Sequence, residues 1–218
     1  MSNITKKSKN FAIVILVGGK STRFGSDKGL FQFHGKPLIS YQLETLASLN
    51  LDIFIVAHSN QQVQNYIEKI DITKIMAFII DDQSLLSSLE EQTPLLGLYS
   101  AFKELNKIGY EKTLVLACDI PLIQKNVIEY LISNCNDFDC CIPQWDNGFL
   151  EPLLAVYPVK KGLISTIKNL KNGNYKLINL IEKNWKINFI SIEKVLQSFD
   201  KKLLSFININ SFRDLKRI

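Results

Sequence analysis

The chain has 218 residues, of which 46% are hydrophobic and 22% charged, a balance typical of a globular protein with a sizeable core. No apolar run reaches the roughly 20 residues that a membrane-spanning helix needs, and residues 1–10 lack a signal-peptide core, so we expect a cytoplasmic protein. Its two histidines, His34 and His58, are too few for a histidine-rich metal site. The cysteines show no C-x-x-C spacing, which indicates reduced thiols at Cys118, Cys135, Cys140 and Cys141.

The net charge of +5 is unevenly distributed along the chain. From Lys160 onward there are about 13 basic and about 4 acidic residues. These basic residues are dispersed and lack interleaved aromatic residues, so solvated lysines with a modest attraction for an anionic ligand are favoured over a nucleic-acid surface. Nucleic-acid binding stays an alternative that rests on this basic part alone.

Strands and helices alternate along the first 143 residues. Apolar runs predict strands at 11–16, 53–57, 75–80, 113–117 and 139–143. Helical spacing of apolar residues predicts helices at 37–49, 61–70, 98–107 and 125–134. This order predicts an α/β fold, namely a three-layer α/β/α Rossmann-like, mostly parallel sheet with helices on both faces.

The alternation is weaker after Pro143. We predict a strand at 151–157, helices at 159–170 and 175–183, short strands at 187–190 and 206–209, and a last helix from Ser211 to Ile218. No linker interrupts the sequence. We therefore expect one domain over residues 1–218, with residues 1–10 as a flexible N-terminus.

A glycine-rich stretch follows the first predicted strand. Its glycines allow a close approach of the backbone to a ligand, and they lie at Gly18, Gly19 and Gly25. Arg23 and Lys28 add positive charge suited to a polyphosphate. The spacing matches neither a P-loop nor a dinucleotide fingerprint. The three glycines and two basic residues nevertheless favour a nucleotide-phosphate loop, with an ordinary turn as the alternative.

Two aspartates follow later predicted strands, Asp82 after the third and Asp119 after the fourth. Ligands of open α/β sheets bind outside the carboxyl ends of parallel strands, and a carboxylate beside a polyphosphate suits Mg²⁺. Asp82 is equally explained as a turn or capping residue. Asp119 is the better metal ligand, because it interrupts a buried run and precedes a proline turn. Asp27 has the further alternative of pairing with Arg23 or Lys28.

Several motifs occur in a family-specific order. Residues 16–30 read L-V-G-G-K-S-T-R-F-G-S-D-K-G-L and are followed by G-K-P-L at 35–38. T-P-L-L-G at 93–97 is similar to G-P-L-x-G, A-C-D-I-P at 117–121 to C-D-x-P, and F-I-N-I-N at 206–210 to N-x-N-T. Together these motifs resemble the molybdenum cofactor guanylyltransferases (the MobA family), nucleotidyltransferases with a glycosyltransferase-A-like Rossmann fold.

The chain departs from the family pattern at a few positions. Val17 and Phe24 replace the usual alanine and methionine and remain apolar. Thr93 replaces a glycine, and Ala57 stands where some members have a nucleotide-binding asparagine. We expect that last contact to be lost or made by the backbone.

The resemblance implies a nucleotidyltransferase that transfers GMP from GTP to the terminal phosphate of molybdenum-molybdopterin and releases pyrophosphate. The implied catalytic residues are Arg23, Lys28 and Asp119, with Asp119 also holding Mg²⁺, or Mn²⁺ as the alternative. The implied GTP contacts are Leu16, Val17, Gly18, Gly19, Arg23, Lys28, Asp82 and Asp119. The implied molybdopterin-side residues are Asn208, Asn210 and Lys176.

The resemblance also implies partners. They are GTP, molybdenum-molybdopterin and, among proteins, a molybdate-insertion protein and molybdoenzyme chaperones, with no nucleic acid and no membrane. A monomer or a weak homo-oligomer is expected. The alternatives are a transferase that uses CTP, one that activates another phosphorylated metabolite, and a non-catalytic nucleotide-binding module; Gly18 followed by Gly19 favours guanine.

Overall fold

The computed structural model describes residues 9–17, 27–85, 93–210 and 214. The predictions for Gly18, Gly19 and Arg23 lie outside these residues, as does nearly all of the helix predicted after Ser211. The strands are β1 (Lys9–Leu16), β2 (Gln32–Phe33), β3 (Lys36–Pro37), β4 (Asp52–Ala57), β5 (Ile75–Ile80), β6 (Tyr110–Ala117), β7 (Cys140–Gln144), β8 (Leu154–Pro158) and β9 (Ile187–Ser191). The α-helices are α1 (Leu38–Ala47), α2 (Asn60–Lys69), α3 (Pro94–Ile108), α4 (Lys125–Ser133) and α5 (Val159–Lys171).

Seven strands form one sheet in the order β5-β4-β1-β6-β8-β7-β9. β1 pairs in parallel with β4 and β6, β4 pairs in parallel with β5, and β7 pairs in parallel with β9. β8 runs antiparallel to both of its neighbours, β6 and β7. The predicted mostly parallel α/β sheet is confirmed.

Alternate residues of the central strands point to opposite faces, and each face carries helices. Ile13 and Ile15 of β1 pack on the side of α1, α2 and α4. Ala12 and Val14 pack on the side of α3 and α5. These strand residues are completely buried, which explains why their sequence reads as a continuous apolar run rather than an alternating one.

Several element boundaries differ from the predictions; β8, for example, spans Leu154–Pro158 rather than 151–157. α3 begins at Pro94 rather than at 98, because the Thr93 side chain accepts a hydrogen bond from Leu96 N and Pro94 needs no donor in the first turn. Residues 177–180 form only a 3₁₀ turn where a helix was predicted at 175–183. Residues 207–210 follow a 3₁₀ turn and pair with no strand of the described sheet, so the strand predicted at 206–209 is wrong.

Among the described residues, no helix combines the length and the apolar character that crossing a membrane requires.

Candidate active site

The carboxyl ends of β1, β4, β5 and β6 lie side by side at one edge of the sheet, which we call the site edge. The amino end of β8 lies at the same edge, because β8 runs in the opposite direction. Three predicted site residues, Lys28, Asp82 and Asp119, follow strands that end here. The site edge therefore brings together residues that are far apart in the sequence.

The turn after β6 is fixed by backbone and side-chain hydrogen bonds. Cys118 N donates to Leu16 O at 3.2 Å, which joins the ends of β6 and β1. Gln42 Nε2, from α1, donates to Ala117 O at 2.6 Å and to Ile120 O at 3.0 Å. These bonds on both sides of Asp119 hold its backbone at the site edge.

Lys28 joins two of the other predicted site residues. Its Nζ atom lies 3.0 Å from Asp119 Oδ2 and 2.7 Å from Asn210 Oδ1. The side chains of Lys28 and Asp119 are 17% and 22% exposed, so the ion pair is sheltered but reachable from solvent. The chain segment of Asn210 is held in place by the preceding residue, since Ile209 N donates to Asp119 O at 2.8 Å.

The two carboxylate oxygens of Asp119 differ in their hydrogen-bond partners. Asp119 Oδ1 is buried and has no hydrogen-bond partner among the described residues. Leaving a buried acceptor without a donor is unfavourable, so this oxygen is suited to bind a ligand. A carboxylate oxygen at a phosphate-binding edge is the donor that Mg²⁺ prefers, so Asp119 fits a divalent cation.

Asp27, by contrast, is fully engaged by protein donors. Its Oδ1 accepts from Gly29 N at 3.0 Å and from Tyr66 OH at 2.6 Å, and its Oδ2 accepts from Gln62 Nε2. The bond to Gly29 N caps the 3₁₀ turn Lys28–Leu30. Lys28 turns to Asp119 rather than to Asp27, and the alternative partner, Arg23, lies outside the described residues.

The two aspartates after β5 have different surroundings. Asp82 pairs with Lys103 and accepts from Ser84 N at 3.0 Å, and the hydrogen bond from Lys103 is the main reason that the pKa of Asp82 falls to about 2. Asp81 Oδ1 is buried without a partner among the described residues, and burial raises the pKa of Asp81 to about 6. The structure therefore gives the site edge a second carboxylate oxygen without a partner among the described residues, and the sequence did not single it out.

Leu16 and Val17 use their backbone groups within the fold. Leu16 O accepts from Cys118 N, Val17 N donates to Val56 O at 3.0 Å, and Val17 O accepts from Gln62 Nε2 at 3.0 Å. The Val17 N–H is thus occupied, while the carbonyl oxygens keep a second lone pair for a ligand. The predicted contact with guanine stays a prediction.

A cavity of about 150 Å³ adjoins Asp119, and we call it the Asp119 cavity. It is lined by Asp119, Glu151, Leu177, Ser205, Phe206 and Asn208, among others. Burial raises the pKa of Glu151, and Trp145 Nε1 donates to Glu151 Oε1 at 2.7 Å. Asn208 thus lies on the wall of a cavity next to Asp119, whereas Lys176 is exposed and only its neighbour Leu177 reaches the wall.

Sequence reasoning missed Glu151, Gln42 and Gln62. Glu151 precedes an antiparallel strand, so the rule for the carboxyl ends of parallel strands does not find it. Gln62 lies four residues before the buried Tyr66 on the inner face of α2, and a polar residue on an inner helical face is the signal that could have found it.

Comparison with known proteins places the chain in a family. Residues 13–186 match the model of the MobA-like NTP transferase domain. Two relatives, from Pyrococcus horikoshii and Methanocaldococcus jannaschii, are both named "Probable molybdenum cofactor guanylyltransferase". The first is 34% identical over 92% of this chain, and the second is 32% identical over 93% of this chain. Each comparison covers 95% of the relative. The crystal structure of molybdopterin-guanine dinucleotide biosynthesis protein A from Archaeoglobus fulgidus is 28% identical, with a TM-score of 0.72 over 94% of this chain and 95% of that one. The chain belongs to the MobA-like NTP transferase family.

Proposed function

We propose that this protein transfers GMP from GTP to the terminal phosphate of molybdenum-molybdopterin, giving the guanine dinucleotide form of the cofactor and pyrophosphate. An oxygen of the acceptor phosphate bonds to the α-phosphorus of GTP as the bond to the β-phosphate oxygen breaks. Relatives at about one-third identity over nearly the whole chain carry the name of this activity. In such a reaction the protein acts mainly by positioning the phosphates and by neutralising their charge.

The observation that carries the proposal is the cluster of Lys28, Asp119 and Asn210. Lys28 and Asp119 are 91 residues apart in the sequence, and Lys28 and Asn210 are 182 apart, yet one ammonium group contacts both side chains. A donor nucleotide held by Lys28 and an acceptor held near Asn210 would meet beside Asp119. The three motifs that resemble the family thus converge on one point.

On the donor side, Lys28 binds the outer phosphates of GTP together with Arg23. Gly18, Gly19 and the backbones of Leu16 and Val17 face the guanine, and Asp82 contacts the nucleotide from the end of β5. Asp119 holds Mg²⁺, with Mn²⁺ as the alternative, and the unpartnered Asp119 Oδ1 supports this role. When bound there, the metal neutralises charge on the phosphates.

On the acceptor side, Asn208 and Asn210 contact the cofactor, and Lys176 contributes charge from the surface. The position of Asn208 on the wall of the Asp119 cavity supports this assignment. We further propose a molybdate-insertion protein and molybdoenzyme chaperones as protein partners. A cytoplasmic location agrees with four cysteines that are all free thiols.

Substrate profiling tests the proposal. Purified protein with Mg²⁺ and molybdenum-molybdopterin is supplied in turn with GTP, CTP, ATP and UTP, and pyrophosphate release is measured. GTP-dependent release that requires the acceptor is expected. Release with CTP and none with GTP would identify a cytidylyltransferase, and nucleotide binding without any release would identify a non-catalytic module.

A further inference from the structure

Two buried glutamines hold the chain segments that carry the charged residues of the site. Gln62 of α2 is 5% exposed and Gln42 of α1 is fully buried. Each uses its amide NH₂ group to bind two acceptors outside its own helix. A buried NH₂ group needs such acceptors, so the acceptors show what each glutamine holds.

Gln62 joins the two ends of the glycine-rich stretch. Its Nε2 atom donates to Val17 O at 3.0 Å and to the Asp27 carboxylate. Val17 and Asp27 are the described residues immediately before and after residues 18–26. One NH₂ group therefore keeps these two flanking residues close together.

The amide of Gln62 is itself fixed in orientation. Its Oε1 accepts from His58 N at 2.8 Å and lies 2.6 Å from His58 Nδ1, which must donate because Oε1 can only accept. Ser59 Oγ accepts from Gln62 N at 3.2 Å and caps α2. Rotating the amide by half a turn would set its oxygen against Val17 O, so a single orientation is favoured.

Asp27 passes this restraint to Lys28. The Asp27 carboxylate also accepts from Tyr66 OH and from Gly29 N, so the residues on both sides of Lys28 are held by the same group. Tyr66 is completely buried, so the packing around it restricts its movement. Lys28 therefore starts from a fixed backbone position when its side chain reaches toward Asp119.

We propose that Gln62 is a positioning residue that sets the Lys28 ammonium group for the outer phosphates of the nucleotide. Gln62 acts through Asp27 and Val17 and makes no contact with the reacting atoms in this role. The inference rests on the proposed function of Lys28. It adds a residue of α2 to a site otherwise built at the ends of strands.

The test compares the affinities for GTP and GMP, measured by calorimetry with Mg²⁺, in wild type and in Gln62→Met. Methionine has a similar length and no amide. The preference for GTP over GMP is expected to fall about tenfold, because a misplaced Lys28 loses the outer phosphates. Both ligands bind the same folded molecules, so this ratio does not depend on the folded fraction.

Two matched glutamine variants serve as controls. Gln64→Met changes an exposed glutamine of the same helix, bonded to Glu68, and is expected to leave the GTP/GMP preference unchanged. Gln42→Met changes a second buried glutamine, which holds the Asp119 turn, and is expected to raise the Mg²⁺ concentration needed for binding instead. An equal fall of the preference in Gln42→Met and Gln62→Met would mean a general loss of order and overturn the inference.

Lys28→Ala separates this inference from the proposed function. If Lys28→Ala keeps the wild-type preference, the phosphate role of Lys28 fails and the inference fails with it. If Lys28→Ala loses the preference while folded Gln62→Met keeps it, the inference alone fails. Should Gln62→Met not fold, Tyr66→Phe removes a second donor to Asp27 and is expected to lower the preference a few-fold; no change there would overturn the inference.

Discussion

Lys28 lies beside two aspartates, Asp27 in the sequence and Asp119 in space after the end of β6, and the two carboxylates differ in their partners. Asp27 receives three hydrogen bonds from Gly29, Gln62 and Tyr66. Asp119 receives one from Lys28 on Oδ2, and its buried Oδ1 has no partner among the described residues. A carboxylate that the protein satisfies completely has a structural role, whereas one left half satisfied at a cost in stability is suited to a ligand.

The largest effect expected from this difference is on catalysis, through Asp119→Asn and its matched variant Asp27→Asn. We expect Asp119→Asn to lower the rate of pyrophosphate release by about 10³-fold, because the metal loses its carboxylate. Its free energy of unfolding should change by about 1 kcal/mol, since the asparagine oxygen can still accept from Lys28.

Asp27→Asn should show the opposite pattern. Its amide cannot accept all three hydrogen bonds, so we expect a loss of about 1–3 kcal/mol in the free energy of unfolding, with a smaller loss of rate than Asp119→Asn. Urea denaturation gives the free energy of unfolding of both variants, and an assay of pyrophosphate release gives their rates. A larger loss of rate in Asp27→Asn than in Asp119→Asn would contradict the division of roles.

Gly29→Ala should damage the Asp27 region directly. A Cβ atom at Gly29 would lie 2.2 Å from Tyr66 OH and 3.2 Å from Tyr66 Cζ, so one of the groups must move. Overpacking of this kind costs about 1–3 kcal/mol, which urea denaturation would detect. Most of that loss should disappear when Gly29→Ala is made in the Tyr66→Phe background, because phenylalanine lacks the hydroxyl oxygen that lies closest to the new Cβ atom. If the losses in the free energy of unfolding of the two single variants simply add in the double variant, this clash is excluded.

Asp81 extends the comparison to the end of β5, since its buried Oδ1 also has no partner among the described residues. Its pKa is raised to about 6 by burial, so the folded state favours the protonated acid, and stability falls as the pH rises from about 4 through 6. Asp81→Asn should therefore raise the free energy of unfolding by about 1–3 kcal/mol at pH 8 and by little at pH 4. Urea denaturation at the two pH values tests this, and an equal gain at both would refute the burial argument.

Asp82 resembles Asp27, because its carboxylate has partners, and the expected effect is the smallest. The ion pair with Lys103 lies at the surface, so Asp82→Asn should cost about 0.2–1 kcal/mol in the free energy of unfolding at neutral pH. The pKa of Asp82 is lowered, so this contribution is present above about pH 4 and lost as the pH falls through about 2. A denaturation series in salt should show the contribution shrinking, whereas a salt-independent loss would argue against an exposed ion pair.

The sequence predicted the sheet and the convergence of Lys28 with Asp119 because both depend on simple rules. Continuous apolar runs mark buried strands, and residues after parallel strands meet at one edge. Asn210 was predicted from the resemblance alone, and the structure shows it in contact with Lys28.

The rest depended on tertiary partners that no local pattern reveals. Asp81 and Asp82 are adjacent in the sequence, and only the positions of Lys103 on α3 and of the sheet decide which of them is paired. Glu151 reaches the site edge because β8 is antiparallel, and the strand order that makes it so was not predicted. Gln62 required knowledge of which face of α2 packs inward.

The hydrogen bonds from Ile209 N to Asp119 O and from Lys28 Nζ to Asn210 also bear on shortened forms of the chain. Every strand of the described sheet is encoded before residue 192, so a chain that ends at residue 208 still contains them all. Such a chain lacks residues 209 and 210 and therefore the contact that joins the donor and acceptor sides. It also loses the buried Ile209 side chain, which packs with Leu38, so we expect a less stable fold together with a loss of activity.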